Sequence, residues 1–360
     1  MTTAREQEVL DAVERRRRLK PKLKDELVTL AHGAGGKASH ALVEALFLDE
    51  LRNPLLEPLA DAAVLRIPDD GPRLAFATDS FVVKPLFFPG GDIGELAVNG
   101  TVNDLAMAGA RPVCLSAGFI VEEGFPIADL RRVAASMGEA AHAAGVVIAA
   151  GDTKVVEKGK ADGLYVNTAG IGLREREPEL GAARIRPGDR VVVSGTLGDH
   201  GMALMVARGE LELELELESD TAPLIELAES VLEATDEVRV LTDPTRGGLA
   251  TVLNELALAS DTAIVLQEDA LPVRPEVAAA CEILGIDPLY VANEGKLIAI
   301  VAPEAADSVV AALRSQPLGE GAALVGEVRV EPPGLVLLNT AFGGSRVVDM
   351  LVGDPLPRIC

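Results

Sequence analysis

Residues 130–154 read LRRVAASMGEAAHAAGVVIAAGDTK and set the pattern for the rest of the chain. The apolar residues of 130–144 recur with the spacing of an amphipathic helix. The apolar run 146–149 is typical of a buried strand, and Gly151-Asp-Thr-Lys154 is predicted to turn the chain after it. Taken alone, such alternation indicates an alternating α/β protein.

The same alternation extends in both directions. We predict strands over 74–77, 113–121, 146–149, 164–171, 190–194, 263–266 and 297–301, and helices over 93–109, 130–144, 224–235, 247–259 and 303–315. The best linker candidate is the polar stretch Arg-Glu-Arg-Glu-Pro at 174–178. It divides the chain into domains 31–175 and 176–345. A charged helical extension, 1–30, precedes them, and a Pro-rich tail, 346–360, is predicted to be extended and mobile.

The bulk composition is that of a two-domain globular protein. The chain has 360 residues, 48% of them hydrophobic, which is more than one typical core needs. The net charge of −23 argues against recognition of a nucleic-acid backbone. A basic run at 15–24 fits a solvated helix face, with nucleic-acid contact as the alternative. The apolar runs fall short of the roughly 20 residues that span a bilayer, so no membrane partner is predicted.

The three cysteines are Cys114, Cys281 and Cys360. Their spacing forms neither a disulfide framework nor a zinc knuckle, and the polar N-terminus is not a signal peptide, so we expect a cytoplasmic protein. The stretch that ends at Cys360 can span up to roughly 50 Å when extended, enough to carry a thiol into a cleft. From the residues alone, a functional thiol and an incidental one are both open.

Four aspartates stand at predicted strand ends or turns: Asp61, Asp79, Asp104 and Asp243. One such residue alone is typical of a helix cap or a turn. Together they offer the oxygen ligands that Mg²⁺ takes alongside substrate phosphates.

Two glycine-rich segments are candidates for holding phosphate. Gly151-Asp-Thr-Lys154 combines a flexible backbone with a cation, and an ordinary strand turn is the alternative. His32-Gly-Ala-Gly-Gly-Lys37 fits either a mobile lid over a nucleotide or a simple linker. Neither has the spacing of a Walker A loop.

Two turn motifs carry candidate acid–base groups. His200 lies in the motif at 197–201, and Glu294 lies in the motif at 292–296. Structural turns are the alternative for both. A Glu-Leu alternation at 210–218 fits a strand by its period and a helix by its composition, and we assign it no chemistry.

In their order along the chain, these motifs resemble one superfamily, that of aminoimidazole ribonucleotide synthetase, selenophosphate synthetase and thiamine-monophosphate kinase. Within it, the sequence resembles the HypE hydrogenase maturation family from about Leu30 to Cys360. The matching strings are His32-Gly-Ala-Gly-Gly-Lys37, Thr78-Asp-Ser80, Pro85-Leu-Phe-Phe-Pro-Gly-Gly91, Gly151-Asp-Thr-Lys-Val155, Ser194-Gly-Thr-Leu-Gly-Asp-His-Gly201, Ala292-Asn-Glu-Gly-Lys296 and Pro357-Arg-Ile-Cys360.

The resemblance implies an ATP-dependent carbamoyl dehydratase that works on its own cysteine. Cys360 is loaded as an S-carboxamide, ATP phosphorylates the amide oxygen, and loss of phosphate leaves a thiocyanate. The implied Mg²⁺ ligands are Asp61, Asp79, Asp104 and Asp243. The implied nucleotide-binding residues are Gly151, Asp152, Thr153 and Lys154, with Gly35, Gly36 and Lys37 in the lid. Lys154 and Glu294 are the first candidates for acid–base work, with His200 as a third.

The resemblance also implies partners and a fold. A HypF-type carbamoyltransferase loads the thiol, and a HypC–HypD-type scaffold accepts the cyanide for the iron of [NiFe]-hydrogenase. The implied fold is α+β in two domains, with the N-terminal sheets pairing in a homodimer and a flexible C-terminal tail. This replaces the alternating α/β expectation.

Two other functions are weighed against it. A selenophosphate synthetase is expected to carry Cys or selenocysteine in the glycine-rich loop, and 32–37 has neither. A non-catalytic carrier that only presents Cys360 has no use for the aspartates and Gly151–Lys154, and it hydrolyses no ATP.

Overall fold

The computed structural model describes residues 29–33, 35–48, 53–54, 57–66, 73–175, 180–209, 216–353 and 356–360. The predicted helical extension lies outside this range except for residues 29 and 30. Residues 210–215 of the Glu-Leu alternation and 176–178 of the predicted linker also lie outside it.

The N-terminal domain is a five-stranded sheet with helices on one face. Its elements are α1 (Lys37–Leu42), β1 (Ala63–Arg66), β2 (Arg73–Phe81), β3 (Phe87–Phe88), β4 (Gly91–Asp92), α2 (Ile93–Met107), β5 (Arg111–Glu122), α3 (Ile127–Ala143), β6 (Val147–Val156) and β7 (Leu164–Arg174). Five of these strands form the sheet in the order β1-β2-β7-β5-β6, in which only β5 and β6 run parallel, and β3 pairs with β4 in a separate two-stranded sheet. Helix α2 packs on the sheet and α3 packs on α2.

Helix α2 is the central element of this domain. It begins where the Asp92 carboxylate caps it, accepting the backbone N–H groups of Gly94 at 2.7 Å and Glu95 at 3.2 Å. Its side chains are buried nearly all round, as expected for a helix enclosed between two layers. It therefore places Asp104, near its C-terminal end, between the two domains.

The other face of the N-terminal sheet is apolar and open to solvent. In one row across the strands, Phe76 of β2 pairs with Ile171 of β7, which pairs with Cys114 of β5, which pairs with Val147 of β6. Phe76 is 44% exposed and Val147 63% exposed. An uncovered apolar face of this kind marks an interaction surface.

Strand β6 corrects the predicted turn at Gly151-Asp-Thr-Lys154. The strand does not stop at residue 149 but continues through these residues to Val156. The register of β5 against β6 shifts between Leu115 and Ser116, where β6 has one extra residue. The extra residue is Ala149, and beyond it Gly151 pairs in register with Ala117, so the segment stays in the sheet.

The C-terminal domain is a seven-stranded sheet with five helices among the described residues. Its elements are β8 (Arg190–Val193), α4 (Asp199–Ala207), α5 (Ile225–Ala234), β9 (Val238–Thr242), α6 (Gly248–Ser260), β10 (Ala263–Gln267), α7 (Pro275–Leu284), β11 (Ile298–Val301), α8 (Ala306–Arg314), β12 (Ala323–Arg329), β13 (Val336–Asn339) and β14 (Ser345–Val348). The order is β14-β13-β10-β12-β8-β11-β9, antiparallel except for β10 with β13.

Two predictions about the fold can now be decided. The two-domain α+β fold is confirmed, and the alternating α/β expectation from periodicity is wrong, because most strand pairs are antiparallel. The tail was predicted to begin at 346, but β14 holds Ser345–Val348 in the sheet, since the β-branched pair Val347–Val348 suits a strand. The chain leaves the sheet only after Val348. Within the described ranges, no helix has the length and apolarity needed to cross a membrane.

Candidate active site

The predicted acidic residues converge where the two domains meet. Asp61 precedes β1, Asp79 lies in β2, Asp104 lies in α2, and Asp243 follows β9. Burial, and then the charges of Asp243, Asp61 and Asp79, raise the pKa of Asp104 well above its ordinary value. Carboxylates act on one another in this way only when they share a poorly solvated space. The structure thus brings together the four residues predicted as a set.

Burial and mutual repulsion make the ionised form of these carboxyl groups unfavourable. Burial and the neighbouring Asp61 raise the pKa of Asp243 well above the ordinary range. Desolvation raises the pKa of Asp61 to about 6, against the lowering effect of a hydrogen bond with Thr242, although Asp61 keeps part of its surface open to water. A divalent cation relieves such repulsion, so the donor set fits Mg²⁺.

The carboxylates do not form a complete metal cage. In the part of the chain that the structure describes, no three His, Cys, Asp or Glu side chains are arranged to hold a metal ion by themselves. Magnesium usually takes one or two protein carboxylates and completes its octahedron with water and substrate phosphate oxygens. Assignment of the four aspartates as its ligands remains a prediction.

Glu294 lies beside this group and is fixed through its backbone. Its N–H donates to Oδ1 of Asp220 at 3.0 Å, and its carbonyl accepts from Nδ2 of Asn103 at 3.4 Å. A methyl group on Gly295 would overlap the carbonyl oxygen of Asp220, so the loop takes this path only with glycine there. Burial, then Asp243 and Asp79, raise the pKa of Glu294 well above its usual range. The side chain therefore has a higher proton affinity than an exposed glutamate.

Cys360 lies against the same group of residues. It is buried, 7% exposed, with the Glu294 carboxyl within hydrogen-bonding reach of its thiol. Burial raises the pKa of this thiol well above its ordinary value, and Arg246 opposes the shift. The unmodified thiol is held in its neutral form, next to a carboxyl group and facing the acidic cluster.

The residues before Cys360 are hydrogen-bonded to the segment that follows β2. The backbone N–H of Val82 donates to the carbonyl of Cys360, and that of Lys84 donates to the carbonyl of Arg358, both at 3.0 Å. Leu356 and Ile359 pack into the main core, 4% and 3% exposed. Burial of an aliphatic side chain is worth about 1.5–3 kcal/mol, so the docked position is favourable. Mobility of the tail stays a prediction.

His200 lies at the base of the docked segment. It is fully buried on α4, with Nε2 2.6 Å from the carbonyl oxygen of Ile359 and Nδ1 2.7 Å from the hydroxyl of Ser219. The ring of Phe88 packs edge-on against it. Desolvation lowers the pKa of His200. The structure therefore places this predicted acid–base candidate beside the backbone of the reactive segment, with both ring nitrogens engaged.

The Gly151–Lys154 segment lies at the far edge of the N-terminal sheet. The register runs from Asp79 to Thr168, Ala117 and then Gly151, three strand spacings or about 14 Å in all. Lys154 pairs with Asp152, and its register partner on β5 is Ile120, which is 45% exposed on the apolar outer face. Within one chain, Lys154 thus lies on the side of the sheet opposite the face that carries Asp79.

The glycine-rich segment near the start packs on the acidic loop of the second domain. A methyl group on Gly35, at φ +74°, would lie 2.6 Å from the carbonyl oxygen of Arg246. A methyl group on Gly36 would overlap the carbonyl oxygen of Leu351. Lys37 forms an ion pair with Asp349. These glycines allow close backbone approach next to the site, and their part in nucleotide binding remains a prediction.

Three residues of this site were missed at the level of sequence. Arg246 opposes the pKa rises of Asp79, Glu294 and Cys360, so it is a cation of the cluster. Its signal was present in the motif Thr-Asp-Pro-Thr-Arg-Gly-Gly, of which only Asp243 was chosen. Asp220 and Ser219 follow directly on the Glu-Leu alternation, and nothing local distinguishes them.

The fold and the site define the class of protein. Residues 59–174 match the family model of the AIR synthase related protein, N-terminal domain, and 186–336 match that of its C-terminal domain. Structures of thiamine monophosphate kinase at 19% identity share the fold, with a TM-score of 0.66 for the complex with AMPPCP and TMP. The molecule has the architecture of the AIR synthase related proteins.

Closer relatives give the family. Carbamoyl dehydratase HypE of Rhodobacter capsulatus is 52% identical over 94% of this chain and 99% of its own length, and that of Escherichia coli (strain K12) is 48% identical over 92% and 99%. A structure of HypE in complex with ATP aligns at a TM-score of 0.77 and 49% identity, covering 93% of this chain and 100% of its own. The HypE–HypF complex aligns at 0.82 and 48%, over 86% and 100%. The chain belongs to the HypE carbamoyl dehydratase family of hydrogenase maturation proteins.

Proposed function

We propose that this chain uses ATP to dehydrate an S-carboxamide on Cys360 to a thiocyanate, which supplies the cyanide ligand for the iron of [NiFe]-hydrogenase. The observation that carries the proposal is the position of Cys360, buried beside Glu294 and near Asp79 of the acidic group. A thiol that served only as an exposed handle has no need of this environment. An AIR synthase related enzyme acting on a free metabolite has no need of a cysteine here.

The chemistry follows from the groups in place. The carbamoyl oxygen of Cys–S–C(=O)–NH2 attacks the γ-phosphorus of ATP, ADP leaves, and the O-phosphorylated carbon keeps one C=N bond after loss of a nitrogen proton. Loss of the second nitrogen proton and of phosphate completes the C≡N bond. The oxygen that formally leaves as water departs in the phosphate. Bound Mg²⁺ would neutralise charge on the phosphates.

Glu294 is placed to move the proton. Its carboxyl lies within hydrogen-bonding reach of the Cys360 sulfur, and a carbamoyl nitrogen on that sulfur is one or two bonds further on. Its Oε1 is buried and has no hydrogen-bond partner among the described residues. The raised pKa of Glu294 suits a group that accepts a proton near neutral pH. We assign Glu294 the role of base.

Lys154 would contribute to the active site of a second copy of the chain. It lies on the exposed apolar face of the N-terminal sheet, in the same register row as Ile120 and Tyr165. Two such faces packed together would bury Phe76, Ile171 and Val147 and bring each Lys154 to the partner's side of the interface. This supports a homodimer in which Asp152, Thr153 and Lys154 approach the nucleotide, as predicted.

The partners follow from the chemistry and the family. A carbamoyl group on sulfur needs a carbamoyltransferase, and a solved relative is a HypE–HypF complex. The thiocyanate carbon needs an iron-bearing acceptor, for which a HypC–HypD-type scaffold is the proposed partner. Both reactions, like the free thiols of this chain, fit the cytoplasm.

Intact mass tests the proposal directly. The purified protein is incubated with the carbamoyltransferase and carbamoyl phosphate, then with MgATP, and the peptide that contains Cys360 is mapped. We expect a carbamoyl adduct on Cys360 that loses the mass of one water only when ATP is present. A Cys360→Ala variant should show neither change. An adduct that ATP leaves intact, with no ATP consumed, would favour the non-catalytic carrier.

A further inference from the structure

The last residues of the chain are bound through their backbone as well as through buried side chains such as Leu356 and Ile359. Beyond the amides of Val82 and Lys84, two donors come from the region of α4. His200 lies in its first turn and contacts the carbonyl of Ile359 at 2.6 Å. Arg208, at its C-terminal cap, donates from Nη2 to the carbonyl of Arg358 at 2.7 Å. Three successive carbonyls, 358 to 360, are therefore all bound.

The hydrogen bonds around His200 fix its tautomer. A carbonyl oxygen only accepts, so Nε2 must carry the proton that it donates to Ile359. The hydroxyl of Ser219 accepts the backbone N–H of Thr221 at 3.1 Å, which leaves its own proton to donate to Nδ1. The chain of donors runs from Thr221 through Ser219 and His200 to Ile359. Neither ring nitrogen has a site left for the carbamoyl group.

Arg208 couples the same segment to the residues just after β2, against which it lies. Its Nε donates to the carbonyl of Lys84 at 2.7 Å while Nη2 holds Arg358. Arg358 has a left-handed backbone conformation, φ +58°, which a non-glycine residue adopts only when its surroundings impose it. The side chain of Arg358 in turn pairs with Asp162. The turn just before Cys360 is therefore held on several sides.

We propose that His200 is a positioning residue that latches the Cys360 segment into the active site, with Ser219 setting its tautomer and Arg208 as the second point of attachment. His200 takes no part in proton transfer to the carbamoyl group. These contacts are independent of what the Cys360 sulfur carries, because His200 and Arg208 bind only backbone carbonyls. The latch refines the proposed function by separating the residue that positions the sulfur from Glu294, which moves the proton.

Thiol alkylation tests the latch without ATP or a carbamoyl group. Full-length protein is exposed to N-ethylmaleimide, and labelling of each cysteine is followed by peptide mapping. We expect His200→Ala to label Cys360 faster by about fivefold or more, the effect of one lost hydrogen bond. His200→Gln, whose amide nitrogen reaches the position of Nε2, should label like the wild type. His142→Ala, at an exposed histidine on α3, is the matched control and should also label like the wild type.

Cys281, buried on α7, reports general loosening. If labelling of Cys281 also rises in His200→Ala, the test is made with Ser219→Ala and Arg208→Gln instead. The Arg208 side chain is only half-buried. In each of these two variants Cys360 alone should be labelled faster. Unchanged labelling of Cys360 in His200→Ala, or equal acceleration in His200→Gln, would overturn the proposal.

The second readout distinguishes a positioning residue from a catalytic one and rests on the proposed function. In single-turnover dehydration of the carbamoylated protein, His200→Ala should be slowed about fivefold or more and His200→Gln should recover most of the rate. Loss of activity in both variants would make His200 the acid–base group. If the wild type itself fails to dehydrate, the proposed function fails, and the alkylation result still decides whether the latch exists.

Discussion

Nζ of Lys296 lies 2.9 Å from Oδ2 of Asp220, and both side chains are almost fully buried. Burial alone would raise the pKa of Asp220, but Lys296 and the backbone N–H of Glu294 reverse the effect, so its pKa is lowered and it stays ionised. The other oxygen of the same carboxylate accepts the backbone N–H of Glu294. A single ion pair therefore supports the residue that we assign as the base.

Replacement of Asp220 by Asn should cost both stability and rate. Breaking a buried pair leaves Lys296 without its counter-charge, which costs about 3–5 kcal/mol. We expect a correspondingly lower free energy of unfolding in urea and slower dehydration of loaded Cys360. Arg329→Ala, which removes an exposed ion pair with Glu327, is the control and should cost less than about 1 kcal/mol. Equal effects of the two substitutions would contradict this account.

Asp104→Asn should stabilise the protein in the absence of ligand. Its carboxylate is raised in pKa by burial and by three neighbouring aspartates, so removing its charge relieves repulsion. The expected gain is an increase of a few degrees in the melting temperature, about what 1 kcal/mol gives in a chain of this size. Dehydration and ATP-dependent stabilisation should both be lost. A lower melting temperature than that of the wild type would show that Asp104 is bound to a favourable partner instead.

The acidic cluster should make stability fall as pH rises. The pKa of Asp61 is raised to about 6 and those of Asp104 and Asp243 are raised well above their ordinary value, so the folded state binds more protons than the unfolded one above about pH 4. Their contribution is complete below the ordinary pKa and is lost as pH rises through about 6 and above. Melting temperatures of the ligand-free protein measured from pH 5 to 8 should show this decline.

MgATP provides the control for that slope. A bound cation favours the ionised carboxylates, so the decline should flatten or reverse when MgATP is present, and binding should release protons. Calorimetry in buffers of different ionisation enthalpy measures that release. Binding without proton release would mean that these groups are already ionised in the free protein.

Gly295→Ala should be severely disruptive for a local, geometric reason. A methyl group there would overlap the carbonyl oxygen of Asp220, so the loop that carries Glu294 must shift. We expect dehydration to fall by at least about tenfold, since a displacement of 1 Å costs about a hundredfold in well-placed catalytic groups. Gly138→Ala is the matched control, because its site on α3 is open and alanine favours the helix by roughly 0.5–1 kcal/mol. Similar activity in both variants would contradict the tight-loop argument.

A charge on the apolar sheet face should separate the proposed dimer. Ile120→Asp places a carboxylate on the exposed face that also carries Lys154. We expect a monomer in sedimentation experiments and loss of ATP-dependent dehydration, with the melting temperature of the isolated chain nearly unchanged. Phe342→Asp, at a hairpin tip where the side chain is 99% exposed, is the control and should remain a dimer. A monomeric wild type with full activity would exclude any role for Lys154 from a second copy.

The sequence predicted the acidic set from its strand ends and turns, Glu294 from its turn motif, and Cys360 from its place at the end of an extended tail. The structure brings Asp61, Asp79, Asp104 and Asp243 together as expected. Asp220 and Arg246 were missed, since their importance arises from contacts between segments far apart in the chain. The predicted turn at Gly151–Lys154 was wrong, because pairing with the neighbouring strand β5 keeps this segment in the sheet.

Asn103 of α2 has a consequence for how this molecule moves. Its side-chain amide donates to the carbonyls of Ala222 and Glu294, and its oxygen accepts the N–H of Leu224. A helix from the first domain is thus bonded to two separate loops of the second, which leaves little freedom for a hinge between them. Movements needed for turnover must then occur in segments smaller than a domain. Under the proposed function, delivery of the loaded Cys360 would then fall to movement of the short C-terminal segment alone, and the rate of that movement would limit the cycle.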